Sequence, residues 1–121
     1  MNPAIKWNAD LFGVEIQTED ERFVIDANPS MVMSWHDAVR YFNGNEVWQL
    51  PTIEQLRLVA QYVGKINMLL RVNGGYEIRG FFWSSEENGK LFAWDVFMGD
   101  GEVYSGRKKT FSGYVRTVSV L

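Results

Sequence analysis

The side chains that most often carry catalysis are sparse in this chain and lie far apart along it. The 121 residues contain no cysteine and a single histidine, His36. Thiol nucleophiles, disulfides and cysteine-ligated zinc are therefore excluded. His36 falls in the first turn of a predicted helix, on the side away from its apolar stripe, which is typical of a solvated surface residue and not of a base or ligand.

The serine and carboxylate residues form no recognisable catalytic motif either. Ser84 and Ser85 are followed by Glu86 and Glu87, but the glycines of a nucleophile elbow are missing around them. These residues and the acidic run at 19–21 fall at predicted strand ends and loops, where acidic runs are usually solvated. We therefore predict that the chain is not an enzyme.

The composition limits the classes to which the protein can belong. With 46% hydrophobic and 15% aromatic residues, the chain is long enough for one domain with a core, which we expect over residues 1–121. Twelve basic against fifteen acidic residues give a net charge of −3, which does not favour binding to nucleic acid. No apolar run could span a bilayer, and the first thirty residues show no signal-peptide pattern.

Two regions of the sequence predict antiparallel strands. Residues 12–17 and 22–27 are rich in β-branched side chains and are joined by the charged sequence TEDE, which is typical of a hairpin loop. In the second half, residues 91–98 and 102–104 flank the dipeptide Asp-Gly, a strong signal for a two-residue type I′ hairpin turn. The second half is therefore predicted to be antiparallel β-structure.

Helix-capping signals place two helices between these strand regions. Ser34 is the expected N-cap of the first. Thr52 and Gln55 have the spacing of a capping box and open the second, which Gly64 is expected to end. Residues 65–80 lose the helical period and contain an Asn-Gly-Gly turn signal, so we expect a long irregular loop there.

Five short motifs, taken in order, resemble the Lcl C-terminal domain family of bacterial proteins. They are Trp35-x-x-Ala38, Trp48-Gln49-Leu50-Pro51-Thr52-x-x-Gln55-Leu56, Phe82-Trp83-Ser84-Ser85, Ala93-Trp94-x-Val96 with Gly101, and Val115-Arg116-x-Val118. The resemblance extends from about residue 34 to 120. It implies an α+β fold of the C-type lectin-like superfamily, with two helices packed on a small antiparallel β-sheet and a long irregular loop. The family usually has Arg-Leu-Pro-Thr where this chain has Gln-Leu-Pro-Thr, and often has cysteine where Phe42 stands.

The resemblance implies a function in recognition. The superfamily includes formylglycine-generating enzymes, which act through cysteine, and this chain has none. Its calcium-dependent lectins ligate the ion with Glu-Pro-Asn or Gln-Pro-Asp, and neither tripeptide occurs here, so no metal and no other cofactor is expected. We expect a non-enzymatic recognition or adhesion module of bacterial or phage origin, extracellular or at a cell surface, that binds a protein or glycan. A structural accessory or assembly domain is the alternative. The sequence does not decide whether the chain forms a homo-oligomer.

The predicted hairpin also places a candidate binding surface. A two-residue turn at Asp-Gly would pair Phe97 with Tyr104 and Asp95 with Gly106. The apolar side chains of the hairpin alternate with these and mark the core face: Trp94, Val96, Met98 and Val103. Asp95, Phe97 and Tyr104 would then point outward together.

The resemblance indicates the same surface, because C-terminal strands and loops bind receptors in phage and bacterial relatives of the fold. The predicted ligand-binding residues are Asp95, Phe97 and Tyr104, with basic residues at the rim: Arg79, Arg107 and Lys109. The alternative is that the two aromatic rings are covered by the loop at 65–80 or by a second subunit.

Three further residues and one loop have both a structural and a functional interpretation. Trp48 and Trp83 stand beside chain turns and are predicted to be core residues, although stacking on sugar rings is the alternative. Arg116 is predicted to bind backbone carbonyls or a carboxylate in preference to an anionic ligand. The basic loop at 107–109 is expected to be solvated, with contact to sulfated glycans as the alternative.

Overall fold

The computed structural model describes residues 2–121, which form an α+β fold of three helices and nine strands. The helices are α1 (Trp35–Phe42), α2 (Ile53–Gln61) and α3 (Val63–Val72). The strands are β1 (Ala4–Asn8), β2 (Gly13–Gln17), β3 (Arg22–Asp26), β4 (Met31–Ser34), β5 (Phe81–Asn88), β6 (Phe92–Phe97), β7 (Val103–Arg107), β8 (Ser112–Val115) and β9 (Val118–Val120). The α+β class predicted from the sequence is confirmed, but the expectation of two helices on one small antiparallel sheet is wrong, since residues 2–121 form three helices and two sheets.

The strands are divided between two sheets. The first sheet has the order β1-β2-β3-β9 and all its neighbours are antiparallel. The second has the order β4-β8-β5-β6-β7, and its neighbours are antiparallel except for β5 and β8, which are parallel. The chain passes from the second sheet to the first at residues 116–117, between β8 and β9.

The hairpin predicted around TEDE is confirmed as β2 and β3, and local hydrogen bonds explain its turn. The backbone N–H of Thr18 donates to the carbonyl of Glu21 at 2.8 Å. The hydroxyl of Thr18 accepts in turn from the backbone N–H groups of Asp20 and Glu21, at 3.2 and 3.0 Å. Strand β1 is joined to β2 by a turn at residues 9–12, where the N–H of Leu11 donates to Asn8 Oδ1 at 2.9 Å. The sequence did not indicate β1 or β4.

The predicted starts of two helices are confirmed by their caps. The backbone N–H of Asp37 donates to Ser34 Oγ at 3.2 Å, so Ser34 caps α1. Both halves of the capping box form at α2: Gln55 N–H donates to Thr52 Oγ1 at 3.1 Å, and Thr52 N–H donates to Gln55 Oε1 at 2.9 Å. Each cap satisfies backbone donors that the first helical turn leaves without partners.

The predicted end of α2 and the long loop after it are wrong. Helix α2 ends at Gln61, and Gly64 lies inside α3, which occupies part of the expected loop. The helical pattern is hard to see because a buried position of α3 holds Asn67. Its side chain pairs with the backbone of Ile78, accepting from the N–H at 2.7 Å and donating to the carbonyl at 3.0 Å. The irregular segment is therefore limited to residues 73–80.

Each face of the five-stranded sheet carries a hydrophobic cluster over part of its area. On one face, the larger hydrophobic cluster packs the five-stranded sheet against the first sheet, α2 and α3. This cluster includes the register partners Phe82 and Val96. A smaller cluster lies on the opposite face against α1, and includes Trp35, Trp83 and Ala93. Alternation along β5 therefore sends Phe82 to one core cluster and Trp83 to the other.

The two tryptophans predicted as core residues differ in burial. Trp83 is fully buried, and its Nε1 donates to the carbonyl of Met33 at 3.0 Å. A side chain at Gly113 would come within 2.9 Å of this nitrogen, which explains the glycine on the neighbouring strand. Trp48 is half-buried and outside both clusters, so the prediction is right for Trp83 and wrong for Trp48.

Arg116 has the structural role that the sequence predicts. Its side chain is 2% exposed, and its guanidinium donates to the carbonyls of Asp26, Tyr76 and Glu77 at 2.8 to 3.1 Å and to the hydroxyl of Ser30 at 2.9 Å. Burial lowers the pKa of Arg116 to about 10, against the opposite effect of the Asp26 carboxylate. The guanidinium thus stays charged at neutral pH and its donors are used by the fold.

Replacement of the buried tryptophan should be far more damaging than replacement of the half-buried one. We expect Trp83→Ala to lower the free energy of unfolding by about 3–5 kcal/mol, since it leaves a cavity in the smaller cluster. Trp48→Ala should cost less than half as much. Urea denaturation followed by far-UV circular dichroism measures both, and equal losses would contradict the assignment of the two rings.

Substitution of Arg116 by lysine keeps the charge but loses the planar fork of donors. Because several buried acceptors would lose their partners, we expect a loss of about 3 kcal/mol in the free energy of unfolding. The matched control is Arg40→Lys, whose side chain is 80% exposed and should change stability by less than about 0.5 kcal/mol. A lysine variant at 116 as stable as the control would rule out the structural role.

Candidate functional site

The candidate site lies on the hairpin of β6 and β7, whose turn differs from the prediction. The turn covers residues 98–101, since Phe97 N–H donates to Glu102 O at 3.1 Å and Gly101 N–H donates to Phe97 O at 2.8 Å. Only Gly101 has a positive φ, 70°, whereas a type I′ turn needs positive φ at Asp100 as well. The predicted two-residue turn and its register are therefore wrong.

The true register pairs Asp95 with Tyr104 and Val96 with Val103. It differs from the predicted register by two residues. A shift of two leaves every side chain on the face assigned to it, whereas a shift of one would reverse them. Phe97 and Tyr104 consequently lie on the same face, as expected, although they are not directly paired.

Three aromatic rings form a partly exposed cluster on this face, which we call the aromatic patch: Phe81, Phe97 and Tyr104. The ring centroids of Phe81 and Phe97 are 4.5 Å apart, and those of Phe81 and Tyr104 are 5.5 Å apart. Tyr104 is 43% exposed, Phe81 is 37% exposed and Phe97 is half-buried. The sequence did not indicate Phe81 as a site residue, because its place in the patch depends on the pairing of β5 with β6.

Asp95 lies on the same face but is not exposed, contrary to the prediction. Its register partners are Trp83 on β5 and Tyr104 on β7, and only 2% of its surface is accessible. Large rings on both neighbouring strands can shield a short side chain at this spacing. Its Oδ1 is buried without a hydrogen-bond partner. Among the buried and half-buried residues within 2–121, no other buried side-chain nitrogen or oxygen lacks a partner.

Burial also changes the protonation of this carboxyl group. It raises the pKa of Asp95 from an ordinary value of 3.8 to about 6, because the charged form is poorly solvated. The hydroxyl of Tyr104 donates to Asp100 Oδ2 at 2.7 Å, and this bond raises the pKa of Tyr104. Asp100 therefore holds the tyrosine ring in position at the turn, while Asp95 lies beneath the patch.

Of the three basic residues predicted at the rim, only Arg79 lies near the patch, where it lines a cavity with Gly80 and Phe97. Its largely exposed guanidinium pairs with Glu77 at 3.2 Å. Arg107 lies on the opposite face of the sheet, with its guanidinium carbon 5.1 Å from the ring centroid of Phe92. Lys109 lies in the turn after β7, at the other end of that strand from residues 98–101. The prediction is wrong for Arg107 and Lys109.

The basic loop is partly built into the core. Lys108 is 5% exposed, and its Nζ pairs with Glu87 and lies 5.0 Å from the ring centroid of Trp35. Its backbone carbonyl accepts from the N–H of His36 at 3.1 Å. Lys108 is thus a structural residue, while Arg107 and Lys109 stay exposed beside it, as expected for a solvated loop.

The residues considered for catalysis have structural contacts. Ser84 is buried and its hydroxyl donates to the carbonyl of Trp94 at 2.7 Å. Glu86 accepts from the backbone N–H of Ile53 at 2.6 Å, at the start of α2. Both lie within β5, and the prediction of a loop at Glu86 and Glu87 is wrong.

In residues 2–121, no three acidic or histidine side chains come together in a group that could hold a metal ion. Across the same residues, each helix is too short or too polar to span a bilayer.

Comparison with models of protein families finds none that matches this chain, and comparison with curated proteins finds no match either. The class that the structure defines is an α+β protein with a four-stranded and a five-stranded sheet among residues 2–121. Its distinguishing feature is a buried carboxylate, Asp95, beneath exposed aromatic rings on the five-stranded sheet.

The raised pKa of Asp95 makes the stability of the protein depend on pH in a defined direction. The folded state holds this proton more tightly than the unfolded state, so the cost of ionising Asp95 is absent below pH 4 and complete above about pH 6. The change in pKa corresponds to about 3 kcal/mol. Asp95→Asn, which cannot ionise, should therefore be more stable than the natural protein at pH 7.5 by up to about this amount.

Urea denaturation at pH 4 and pH 7.5 measures the difference. The advantage of Asp95→Asn should nearly vanish at pH 4, where Asp95 is protonated in the folded protein. Asp20→Asn, which removes one exposed negative charge, is the matched control and should show no such pH-dependent gain. An equal effect of Asp95→Asn at the two pH values would disprove the pKa assignment.

Proposed function

We propose that this protein is a non-enzymatic recognition module that binds a protein or glycan partner through the aromatic patch. The observation that carries the proposal is the cluster of Phe81, Phe97 and Tyr104 on an accessible face of the five-stranded sheet. Aromatic side chains dominate the energetics of many interfaces, because they bury a large area with few rotatable bonds.

The patch is supported rigidly, as a binding surface requires. Phe81 and Phe97 are register partners on neighbouring strands, and Tyr104 is held by its hydrogen bond to Asp100. Rings that are already fixed lose little conformational entropy when a partner covers them. Asp95 is the one carboxyl group with a raised pKa at this site, and neither a partner nucleophile nor a metal ligand set accompanies it within residues 2–121, which is why we propose binding and not catalysis.

We further propose that the domain is C-type lectin-like, of bacterial or phage origin, and acts in adhesion outside the cell or at its surface. This part rests on the ordered motifs shared with the Lcl C-terminal domain family. In support, the Leu-Pro-Thr motif supplies the capping box at Thr52, and Trp35 and Trp83 pack together in the smaller cluster. Arg116, from the last motif, joins segments of both sheets.

The alternative is a structural accessory or assembly domain, such as a subunit of a homo-oligomer, in which the patch is permanently covered. Phe111 favours it, because this ring is 41% exposed and lies edge-on to Trp83 with centroids 5.7 Å apart. It adds exposed apolar surface to the five-stranded sheet. A homo-oligomer would form from this chain alone as its concentration rises, whereas a recognition module should not need to form one.

A double substitution of the exposed rings tests the proposal. We expect Phe81→Ala with Tyr104→Ala to weaken binding to a partner found on glycan and peptide arrays by at least tenfold, because the contact area is lost. The matched control is Tyr41→Ala with Tyr76→Ala, two rings that are 66% and 56% exposed elsewhere. Binding constants come from calorimetry and the state of the fold from circular dichroism.

Two results would contradict the proposal: unchanged binding by the double variant, or equal loss in the control. If the double variant unfolds, Tyr104→Ala alone replaces it, since this ring contributes mainly exposed surface. A shift from oligomer to monomer on the same substitution, with no partner bound, would favour the assembly domain instead.

A further inference from the structure

The buried carboxylate beneath the patch has no counter-ion in the part of the chain that the structure describes. Its neighbours on the same face are Trp83, Tyr104, Ala93 and Phe97, none of which is cationic. Oδ1 lacks a hydrogen-bond donor, and no salt bridge involves Asp95 within residues 2–121. Burying a charge without a partner is costly, so a group that supplied one would be bound favourably.

The charges nearest along the chain add to this negative character. Asp100 and Glu102 lie at the turn, where Asp100 accepts from the hydroxyl of Tyr104. Arg79 shares the Glu77 carboxylate with Arg71, and Arg107 is on the other face of the sheet. Asp95, Asp100 and Glu102 outnumber the one positive charge that Glu77 leaves unmatched, so the electrostatic field at the patch favours a positively charged ligand.

The aromatic rings of the patch can also attract a cation. The planes of Phe81 and Phe97 are inclined by 33°, and those of Phe81 and Tyr104 by 72°, so the three rings are not stacked in parallel. The face of an aromatic ring attracts cations through its quadrupole, and its surface also packs against alkyl groups. A carboxylate beneath such rings can bind both parts of an alkylammonium ion.

We propose that the aromatic patch and Asp95 form a binding site for an alkylammonium group, in which the ammonium donates to Asp95 Oδ1 and the alkyl part packs on the rings. This inference rests on the proposed recognition function and names the chemistry of its ligand. The group is a primary ammonium, carried by a small molecule or by a lysine side chain of a partner protein.

Other ligand classes fit this site less well. An anion would meet Asp95, Asp100 and Glu102. A metal ion needs several oxygen ligands, and Asp95 belongs to no such group in residues 2–121. A neutral sugar could stack on the rings but would leave the buried charge uncompensated. Because Asp95 is only 2% exposed, the cation must be slim enough to reach between the side chains that cover it.

The test is a titration of the full chain with n-butylammonium chloride at pH 7.5, followed by proton–nitrogen correlation spectra. We expect saturable shifts at the amides of Phe81, Asp95 and Tyr104. The affinity should fall at least tenfold in Asp95→Asn, and n-butanol, the neutral analogue, should bind at least tenfold more weakly than the cation. Tyr104→Phe, which keeps the ring and loses only its hydroxyl bond, should bind within about threefold of the natural protein.

The two sources of the amine are separated by a second titration with a lysine-containing peptide and its acetyl-lysine counterpart. Tighter binding of the lysine peptide than of butylammonium indicates a protein side chain, and equal binding indicates a free amine. Equal affinity of Asp95→Asn and the natural protein for butylammonium, or equal affinity for butanol, would overturn the inference. The absence of saturable shifts would overturn it as well.

Failure here is distinguishable from failure of the recognition function. Suppose that a partner from the arrays no longer binds the Phe81 and Tyr104 double variant but still binds Asp95→Asn with unchanged affinity. The patch is then a recognition site, and the alkylammonium ion is the wrong ligand. If the partner binds all variants alike, both proposals fail. Asp95→Asn is suited to this comparison because we expect it to fold with greater stability at this pH.

Discussion

The buried guanidinium of Arg116 is the interaction on which the arrangement of both sheets depends. It lies where the chain crosses between them and binds Asp26 at the end of β3, Ser30 before β4, and Tyr76 and Glu77 after α3. A buried cation is stable only when its donors are satisfied, so these segments must meet around it. Ile78 is then fixed by the Asn67 amide, and Gly80 by the N–H of Met98. Phe81, the next residue, begins β5 and enters the aromatic patch.

The same sheet face serves the core at one end and the candidate site at the other. Trp83 is packed against α1 with its indole N–H satisfied, whereas Asp95, its register partner, keeps an oxygen without a donor. Most buried polar groups in folded proteins are paired, and the exceptions often mark places where stability and function compete. Asparagine at this position would remove the ionisation that burial opposes. This oxygen without a donor is the observation on which the proposed alkylammonium site rests.

How much the sequence could predict depends on the distance over which each interaction is made. The caps of α1 and α2 and the hairpin turn at Thr18 involve residues within three positions of one another, and their signals are correct. Helix α3 was missed because the partner of Asn67 is Ile78, eleven residues away. The outward direction of Phe97 and Tyr104 was predictable because it needs only alternation, but the burial of Asp95 depends on rings from two other strands. The place of Phe81 in the site likewise depends on another strand, because Phe81 pairs with Phe97 of β6.

The two ends of the hairpin of β6 and β7 carry opposite charge, and the candidate site lies at the acidic end. The turn at 98–101 is followed by Glu102 and lies beside the patch, while Arg107, Lys108 and Lys109 stand at the far end of β7. A five-residue strand is about 16 Å long, which exceeds the screening length of about 8 Å at physiological ionic strength. The two ends therefore act independently, although the net charge of the chain is only −3. A cationic ligand would be repelled from the basic end and attracted toward the turn, so electrostatics and the exposed rings select the same surface.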